Sequence, residues 1–441
     1  MDPETGFDQV VNVGITGSKI AAIDARPMRG KKVIRARGMV VAPGFIDILS
    51  YDPNGFGEWY KLGDGVTTVL AMHGADVGEA DQFFAKYRAN PPPVHYGGAF
   101  DEPYWRARLG IGAYEQPSGA QVRALAEIAE REIRDGWMGV DFEPEYSPGT
   151  TREEMVAVAK VGARLGVPSF FHVRYSDDEE PGTEVQAIEE VLTVARRSNA
   201  AVHVEHINST GGTFQTREVI DMIDEARGEG LDVTACVYPY DFWSTFLGSA
   251  RFAPGWQERF NITYSDIEVP GTGERLTEES FERYRAENRV VVAYAIPERS
   301  VRMLLRAPFV MLGSDTILRS DVGRHPRGAG SFARLLGRYV REEEVLSMMD
   351  ALAKITLLPA QRLEAGAPAM AKKGRLQVGM DADITIFDPD TVIDRATVAE
   401  PNQFSEGIGW VLVLGKVGKD PDGVLRNVRR GRPILSAAAR S

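Results

Sequence analysis

Short apolar runs rich in β-branched residues alternate along most of this chain with segments whose apolar positions recur every three or four residues. The first pattern reads as buried strands and the second as amphipathic helices, and their alternation predicts parallel βα units. Eight such runs precede residue 316: Val40–Leu49, Thr67–Met72, Val94–Phe100, Met138–Phe142, Pro168–Val173, Ala201–Ile207, Leu231–Tyr238 and Phe309–Ser314. Helices are expected between several of them, over Gly119–Asp135, Thr151–Leu165, Glu184–Ser198 and Thr216–Gly228. The second of these opens with Thr-Arg-Glu-Glu after Pro148-Gly149, a start signal with acids in the first turn. Eight strands with helical crossovers over about 300 residues fit a (β/α)8 TIM-type barrel better than an open doubly wound sheet. No strand end carries the G-x-G-x-x-G turn that an open dinucleotide-binding sheet would offer.

The two ends read differently. Val10–Ile23, Lys32–Val41, Asp383–Phe387 and Gly409–Leu414 look like short strands joined by turns, so both termini are expected to build one small β-domain. The expected division is 1–41 for the N-terminal part of that domain, 42–365 for the barrel and 366–441 for the C-terminal part. Turn residues and acids at 251–288 predict an insertion between the last two barrel strands.

Composition narrows the function classes. With 441 residues, 43% of them hydrophobic, the chain is long and apolar enough for a large core. Its formal charge of −12 disfavours nucleic acid as a partner. A single cysteine, Cys236, rules out an intrachain disulfide and suits a reducing, cytoplasmic location. No stretch approaches the ~20 apolar residues of a membrane span, and the opening MDPETGFDQV lacks the features of a signal peptide. The expected partner is therefore a small-molecule substrate, not a membrane or a nucleic acid, and self-association into a homo-oligomer is compatible with the sequence.

In a barrel of this kind, chemistry gathers at the C-terminal ends of the strands. Three of the six histidines fall there: His73 after TTVLAM, His172 in PSFFHVR and His206 in AVHVEHIN. Neutral imidazole is a favoured zinc ligand, so these three could converge on one divalent cation. Asp315, closing the eighth strand in FVMLGSD, has the position of a ligand or of a base working on water. Each has a structural alternative: a hydrogen-bonded core histidine, or an aspartate capping a turn. His203, an odd offset from His206 along a strand, is expected to point outward under a helix. His95 begins the third strand, at the wrong end for catalysis, and His325 lies in a loop.

VVAPGFID, GVTTV, EYSPGTTREEM, FHVR, LDVTACVYPY, GSD, HPRGAGSFARLLGRYVREE, ITLLPAQRL and GRLQVGMDADITIFDPDTVIDRAT together resemble the N-acyl-D-amino-acid deacylase (D-aminoacylase) family of the amidohydrolase superfamily, from about Val10 to Pro433. The resemblance implies a metal-bearing (β/α)8 barrel with a small β-sandwich built from both termini. It also implies a strand ahead of Asp-Pro-x-Thr-Gly, so the small domain is either one strand short or continued upstream of Met1. Where the family has His-x-His after the first strand, this chain has Leu49 and Tyr51, which deletes one of two metal positions. The other looks retained, with His73 near a cysteine position and with His172 and His206 in place; Asp315 matches the catalytic aspartate. For the substrate carboxylate, Tyr146 and Ser244 match the family's tyrosine and serine, but Asn208 stands where it has a lysine. Arg174, and after it Arg319 or Arg324, are candidates for replacement positive charge.

Aromatic residues crowd the strand ends, among them Tyr51, Phe56, Trp59, Tyr60, Trp105, Tyr238, Phe242 and Trp243, as a cyclic or hydrophobic ligand would favour. Acids share that edge: Asp52, Asp101, Glu102, Asp141, Glu143 and Glu205. The expectation is a single-metal, zinc-type hydrolase of an amide or cyclic amide C–N bond, with His73, His172 and His206 on the metal and Asp315 shuttling the proton. Tyr146, Arg174, Asn208, Tyr238 and Ser244 would bind substrate. The alternatives are metal-free acid–base chemistry of lyase, isomerase or retro-aldol type, and a non-catalytic homologue.

Overall fold

Eight parallel strands, most of them shorter than their apolar runs, close into a barrel whose interior is filled by side chains. They are β1 (Phe45–Asp47), β2 (Val66–Ala71), β3 (His95–Gly98, continued by Phe100–Asp101), β4 (Val140–Phe142), β5 (Ser169–Phe171), β6 (Val202–Val204), β7 (Val233–Val237) and β8 (Val310–Leu312). Each pairs in parallel with the next, from β1 through β8. The computed structural model describes residues 1–179, 182–320 and 325–439.

Inward-facing Ile46, Leu70, Met72, Met138, Phe170, Cys236 and Met311 fill the barrel, and Ala360, Leu363, Met370 and Ile434 plug its N-terminal end. The larger cluster lies between strands and surrounding helices, for example Leu125, Ala129 and Ile133 from one helix against Trp137 and Phe83. Those helices begin where their capping residues say. Gly119–Asp135, Arg152–Leu165 and Glu184–Ser198 each carry a reciprocal capping box, on Ser118/Gln121, Thr151/Glu154 and Thr183/Gln186.

The barrel closes through polar contacts between its first and last strands. Asp47 Oδ1 accepts from Ser314 N at 2.9 Å, and its Oδ2 accepts from Ser314 Oγ at 2.6 Å and Lys61 Nζ at 2.7 Å. One step further, Asp315 N donates to Leu49 O at 2.8 Å.

Both ends of the chain meet in the small β-domain. Its antiparallel sheet runs Gly423–Val424, Lys416–Asp420, Ile408–Val413, Ile384–Phe387 and Val40–Pro43, with a hairpin Asn12–Thr16/Lys19–Asp24 beside it. The run expected at Lys32–Val41 is strand only in its last residues, and that strand continues to Pro43, across the expected limit at 41. The insertion is also wider than 251–288. It is a four-stranded antiparallel sheet ordered Trp243–Phe246, Val290–Ala293, Ile267–Val269, Glu274–Arg275, leaving the barrel soon after β7. Among the described residues no helix is long and apolar enough to cross a membrane.

His95 and Asp383 join the barrel to the small domain, as a histidine at the foot of β3 can. Asp383 faces His95 Nε2 at 3.2 Å and accepts from Lys373 Nζ at 2.7 Å and Leu414 N at 2.7 Å, all deep in the protein. Burial alone would raise this carboxyl, but Lys373 and His95 outweigh it and hold Asp383 far below the usual carboxylate range. A depressed carboxyl stabilises the fold above its unfolded pKa of about 3.9, and that contribution is lost as the pH falls below it. Asp383→Asn, which leaves the buried Lys373 short of its partner, is expected to cost about 3 kcal/mol at neutral pH and to flatten the acid side of the stability curve. Urea unfolding across pH measures both, and an unchanged midpoint would refute it.

Candidate active site

Beyond the last hydrogen-bonded residue of a barrel strand, the chain is free to turn a side chain over the barrel axis. His73 follows β2 by two residues, His172 directly follows β5, and His206 follows β6 by two. His206 has a φ of +22°, an unusual value for a non-glycine residue; it breaks the strand and swings the imidazole over the mouth. The ring centroids of His73 and His172 lie 5.3 Å apart and those of His172 and His206 4.7 Å apart, with His73 and His206 at 5.2 Å.

A fourth donor joins them. Glu205, fully buried, places Oε2 2.6 Å from His73 Nδ1, out of line for a hydrogen bond. One atom from each of His73, His172, Glu205 and His206 lies within 4.8 Å of all the others. His73 Nδ1, His172 Nδ1 and both Glu205 oxygens have no hydrogen-bond partner. Buried polar atoms of this kind are costly unless something binds them, and three imidazoles with a carboxylate are a fitting donor set for a zinc-type cation.

The remaining ring atoms are anchored from behind. His172 Nε2 faces Glu145 Oε2 at 2.6 Å, and His206 Nδ1 lies 3.2 Å from Thr210 Oγ1, partners that fix ring orientation. Burial lowers the pKa of His172 and puts that of His206 well below the ordinary value, so both rings are neutral and able to ligate. Burial opposes charge on His73 as well, but Glu205 and Glu143 prevail and raise it well above the usual range. Glu145 is the counterpart: burial would raise it, yet Arg251 and His172 bring it down to about 2. Arg251 Nε donates to Glu145 at 3.0 Å and its Nη2 to Ser209 O at 2.7 Å, while its guanidinium lies over the Trp243 ring at 4.7 Å.

Asp315 stands across the mouth with φ +52°, held by the closure at Asp47 and Leu49. Arg327 Nη2 approaches its Oδ2 at 3.2 Å, and the Tyr51 hydroxyl donates to its Oδ1 at 3.4 Å. Burial, then the Asp315 charge, pushes the Tyr51 phenol well above its usual range, so it remains a donor. Arg327 also lies 4.0 Å above the ring of Tyr238, which flanks His206. Leu49 is buried in the barrel interior, where a Cβ on Gly313 would come within 2.7 Å of the Leu49 Cβ.

The expected substrate residues divide. Tyr146 does reach the site, its ring 4.6 Å from that of His172 and its hydroxyl 3.3 Å from Thr245 Oγ1. Tyr238 is in place as well. Arg174 is not: its guanidinium pairs with Glu190 at 2.9 Å and holds the carbonyls of Pro148 and Thr150, clamping a loop. Asn208 braces the carbonyl of Tyr238 at 3.0 Å, and Ser244 Oγ donates to Val291 O at 2.8 Å inside the inserted sheet. Of the two loop arginines, Arg319 bonds Asp76 at 2.6 Å and Arg324 lies outside the described residues.

Other expectations need correcting. His203 does not pack outward; it stacks inside the barrel on Phe170 at 4.7 Å and meets Thr234 Oγ1 at 2.8 Å. β6 stops at Val204, so alternation along the strand does not extend to His206. Most of the aromatic crowd is ordinary packing, as with Trp59 beneath Arg429 and Trp243 on Phe260; only Tyr51, Tyr146 and Tyr238 approach the histidines. Asp52 and Glu102 turn away, toward Tyr87 and Arg106, whereas Asp101, Asp141, Glu143 and Glu205 gather around His73. Arg251, Arg327 and Glu145 escaped the sequence reading. Their signals, Glu-Pro-Glu-Tyr, Ala-Arg-Phe and His-Pro-Arg, are too common to single out without the fold.

Known proteins agree with this geometry. A family profile described as "Amidohydrolase family" matches residues 252–418. An N-acyl-D-glutamate deacylase of Alcaligenes xylosoxydans xylosoxydans is 32% identical, over 92% of this chain and 88% of its own. A D-aminoacylase of the same organism is 29% identical over 92% and 89%. Among solved structures, an N-acyl-D-glutamate deacylase from Bordetella bronchiseptica, complexed with zinc and a phosphonate inhibitor that mimics the tetrahedral intermediate, superposes with a TM-score of 0.84 at 27% identity, covering 98% of this chain and 97% of its own. The chain therefore belongs to the N-acyl-D-amino-acid deacylase family of metal-dependent amidohydrolases, hydrolases of C–N bonds outside peptides.

Proposed function

We propose that this protein hydrolyses the amide bond of an N-acylated amino acid or a closely related small amide in the cytoplasm, with a zinc-type cation held by His73, His172 and His206 and supported by Glu205. The observation that carries this reading is the convergence of four buried donor groups within 4.8 Å over the barrel mouth, three of them with atoms lacking any other partner. When bound there, such a cation supplies an activated water and a polarised acyl carbonyl.

The chain's own residues do the rest. The carboxylate of Asp315 accepts a proton from the attacking water and returns it to the departing nitrogen, so that the C–N bond breaks to a carboxylate and a free amine. Tyr51 and Arg327 orient Asp315 from two sides. Arg327 and Tyr238 form the wall that meets an anionic substrate group, in place of the missing lysine at Asn208 and of Arg174, which is engaged elsewhere. Glu145 fixes the ring of His172 and is itself fixed by Arg251.

Two outcomes follow. His206→Ala is expected to lower bound zinc, read by elemental analysis, and to abolish release of amino acid from a panel of N-acyl-D-amino acids and cyclic amides. Asp315→Asn is expected to keep the zinc and to lower kcat by about 10²–10⁴-fold. Wild-type protein that takes up no zinc or manganese, or an Asp315→Asn variant of full activity, would overturn the reading. Glu145→Gln is expected to weaken zinc binding about 10–100-fold, measured by competition with a chelating dye, with the barrel still folded.

A further inference from the structure

Among the described residues, one group of acids at the mouth has no lysine or arginine as counter-charge. Asp101, at the end of β3, and Asp141, in β4, are in-register neighbours, and Glu143 directly follows β4. Asp141 is completely buried and neither of its carboxylate oxygens has a hydrogen-bond partner. One oxygen of Asp141, one of Glu143 and a ring nitrogen of His73 lie within 4.8 Å of one another. Asp101 uses Oδ1 to cap a helix through Tyr104 N at 2.8 Å. Its Oδ2 faces Gly74, where a Cβ would come within 3.0 Å of that oxygen and 3.7 Å of Glu143 Oε1; the φ of +74° at Gly74 keeps this space clear of side chain.

Charge decides what such a pocket is for. Among the described residues no lysine or arginine forms an ion pair with Asp101, Asp141, Glu143 or Glu205; the positive group beside them is His73. Four carboxylates around one imidazole leave a surplus of negative charge in a water-poor place, which is tolerated only with a cation or with bound protons. The contrast with Glu145, on the other side of His172, is instructive, since that carboxylate has its own arginine. The cation of the proposed hydrolytic centre touches Glu205 and takes its other donors from His73, His172 and His206, after β2, β5 and β6, and it leaves Asp101, Asp141 and Glu143 uncompensated.

We infer that this chain holds a second divalent cation, bound by Asp141 and Glu143 beside His73 and backed by Asp101, on the β3–β4 side of the mouth. His73 stands between the two donor sets, its Nδ1 2.6 Å from Glu205 and 3.7 Å from Glu143, and it ligates the first cation only, since a neutral imidazole has one free nitrogen. Mainly carboxylate oxygen donors suit a hard ion of the manganese or magnesium type. The place differs from that of the deleted His-x-His, whose equivalents Leu49 and Tyr51 follow β1. This goes beyond the proposed hydrolysis and rests on it only for the first cation.

The test is stoichiometry, independent of activity. Protein stripped with chelator, reloaded with zinc and then titrated with manganese is read by elemental analysis and by the manganese paramagnetic resonance signal. About two cations per chain are expected for the wild type and about one for Asp141→Asn and for Glu143→Gln. Glu143 is partly exposed, so its variant reads the site even where the buried Asp141→Asn chain does not fold. His206→Ala should lose zinc yet keep manganese. A wild type that saturates near one cation overturns this inference and leaves the hydrolytic centre standing; variants that keep both cations overturn it too; no uptake of either metal overturns both.

Discussion

Everything at the mouth of this barrel depends on how the first strand is joined to the last. Asp47 accepts from the backbone and hydroxyl of Ser314 and from the buried Lys61, a bridge of charge-assisted hydrogen bonds inside an apolar interior. With that seam fixed, Asp315 has one backbone position open to it, hydrogen-bonded to Leu49 and in the left-handed region that aspartate tolerates better than most residues. A carboxylate on a flexible loop would sample many orientations; this one is aimed by the closure of the sheet. The same logic governs His206, whose positive φ is sustained because Cys236 receives its N–H and the carbonyl of Cys236 accepts from Ile207. Two residues of positive φ thus stand at the mouth, after β6 and β8, each stabilised by the strands beneath it.

Around those fixed points the site is organised by charge. Glu145, Arg251 and His172 form a neutralised chain on one side, while Asp101, Asp141, Glu143 and Glu205 form a negative wall on the other with His73 between. Burial raises Glu205 and Asp101 to about 7 and Asp141 well beyond its normal range, each pushed further by neighbouring acids. The low-dielectric setting magnifies both the attraction for a cation and the cost of lacking one.

The elements of the fold were legible wherever local signals suffice. Capping boxes mark helices to the residue, and apolar runs locate every barrel strand, because both patterns are written within a few neighbouring positions. Strand-end histidines were readable for the same reason, since position along a βα unit predicts the face of the barrel. The failures are of a different kind. His203 was misplaced because period-two alternation was carried past the point where β6 stops. Arg174, Asn208 and Ser244 occupy positions suggestive of substrate, yet each is engaged by a local partner that no linear pattern announces. Arg251 arrives from the inserted sheet and Arg327 from beyond β8, so their presence at the site is a property of tertiary contact alone.

The packing of Leu49 limits where new ligands could enter this mouth. Its side chain lies against Cys236 and Gly313 in a core with no slack at that point, and the same core includes Ile46, Ile48 and Met311. An imidazole at that position would bury a polar ring among aliphatic neighbours. New metal ligands would therefore enter this mouth at lower cost in stability among the acids around His73, which are already polar and close to one another, than at Leu49 in the apolar barrel interior.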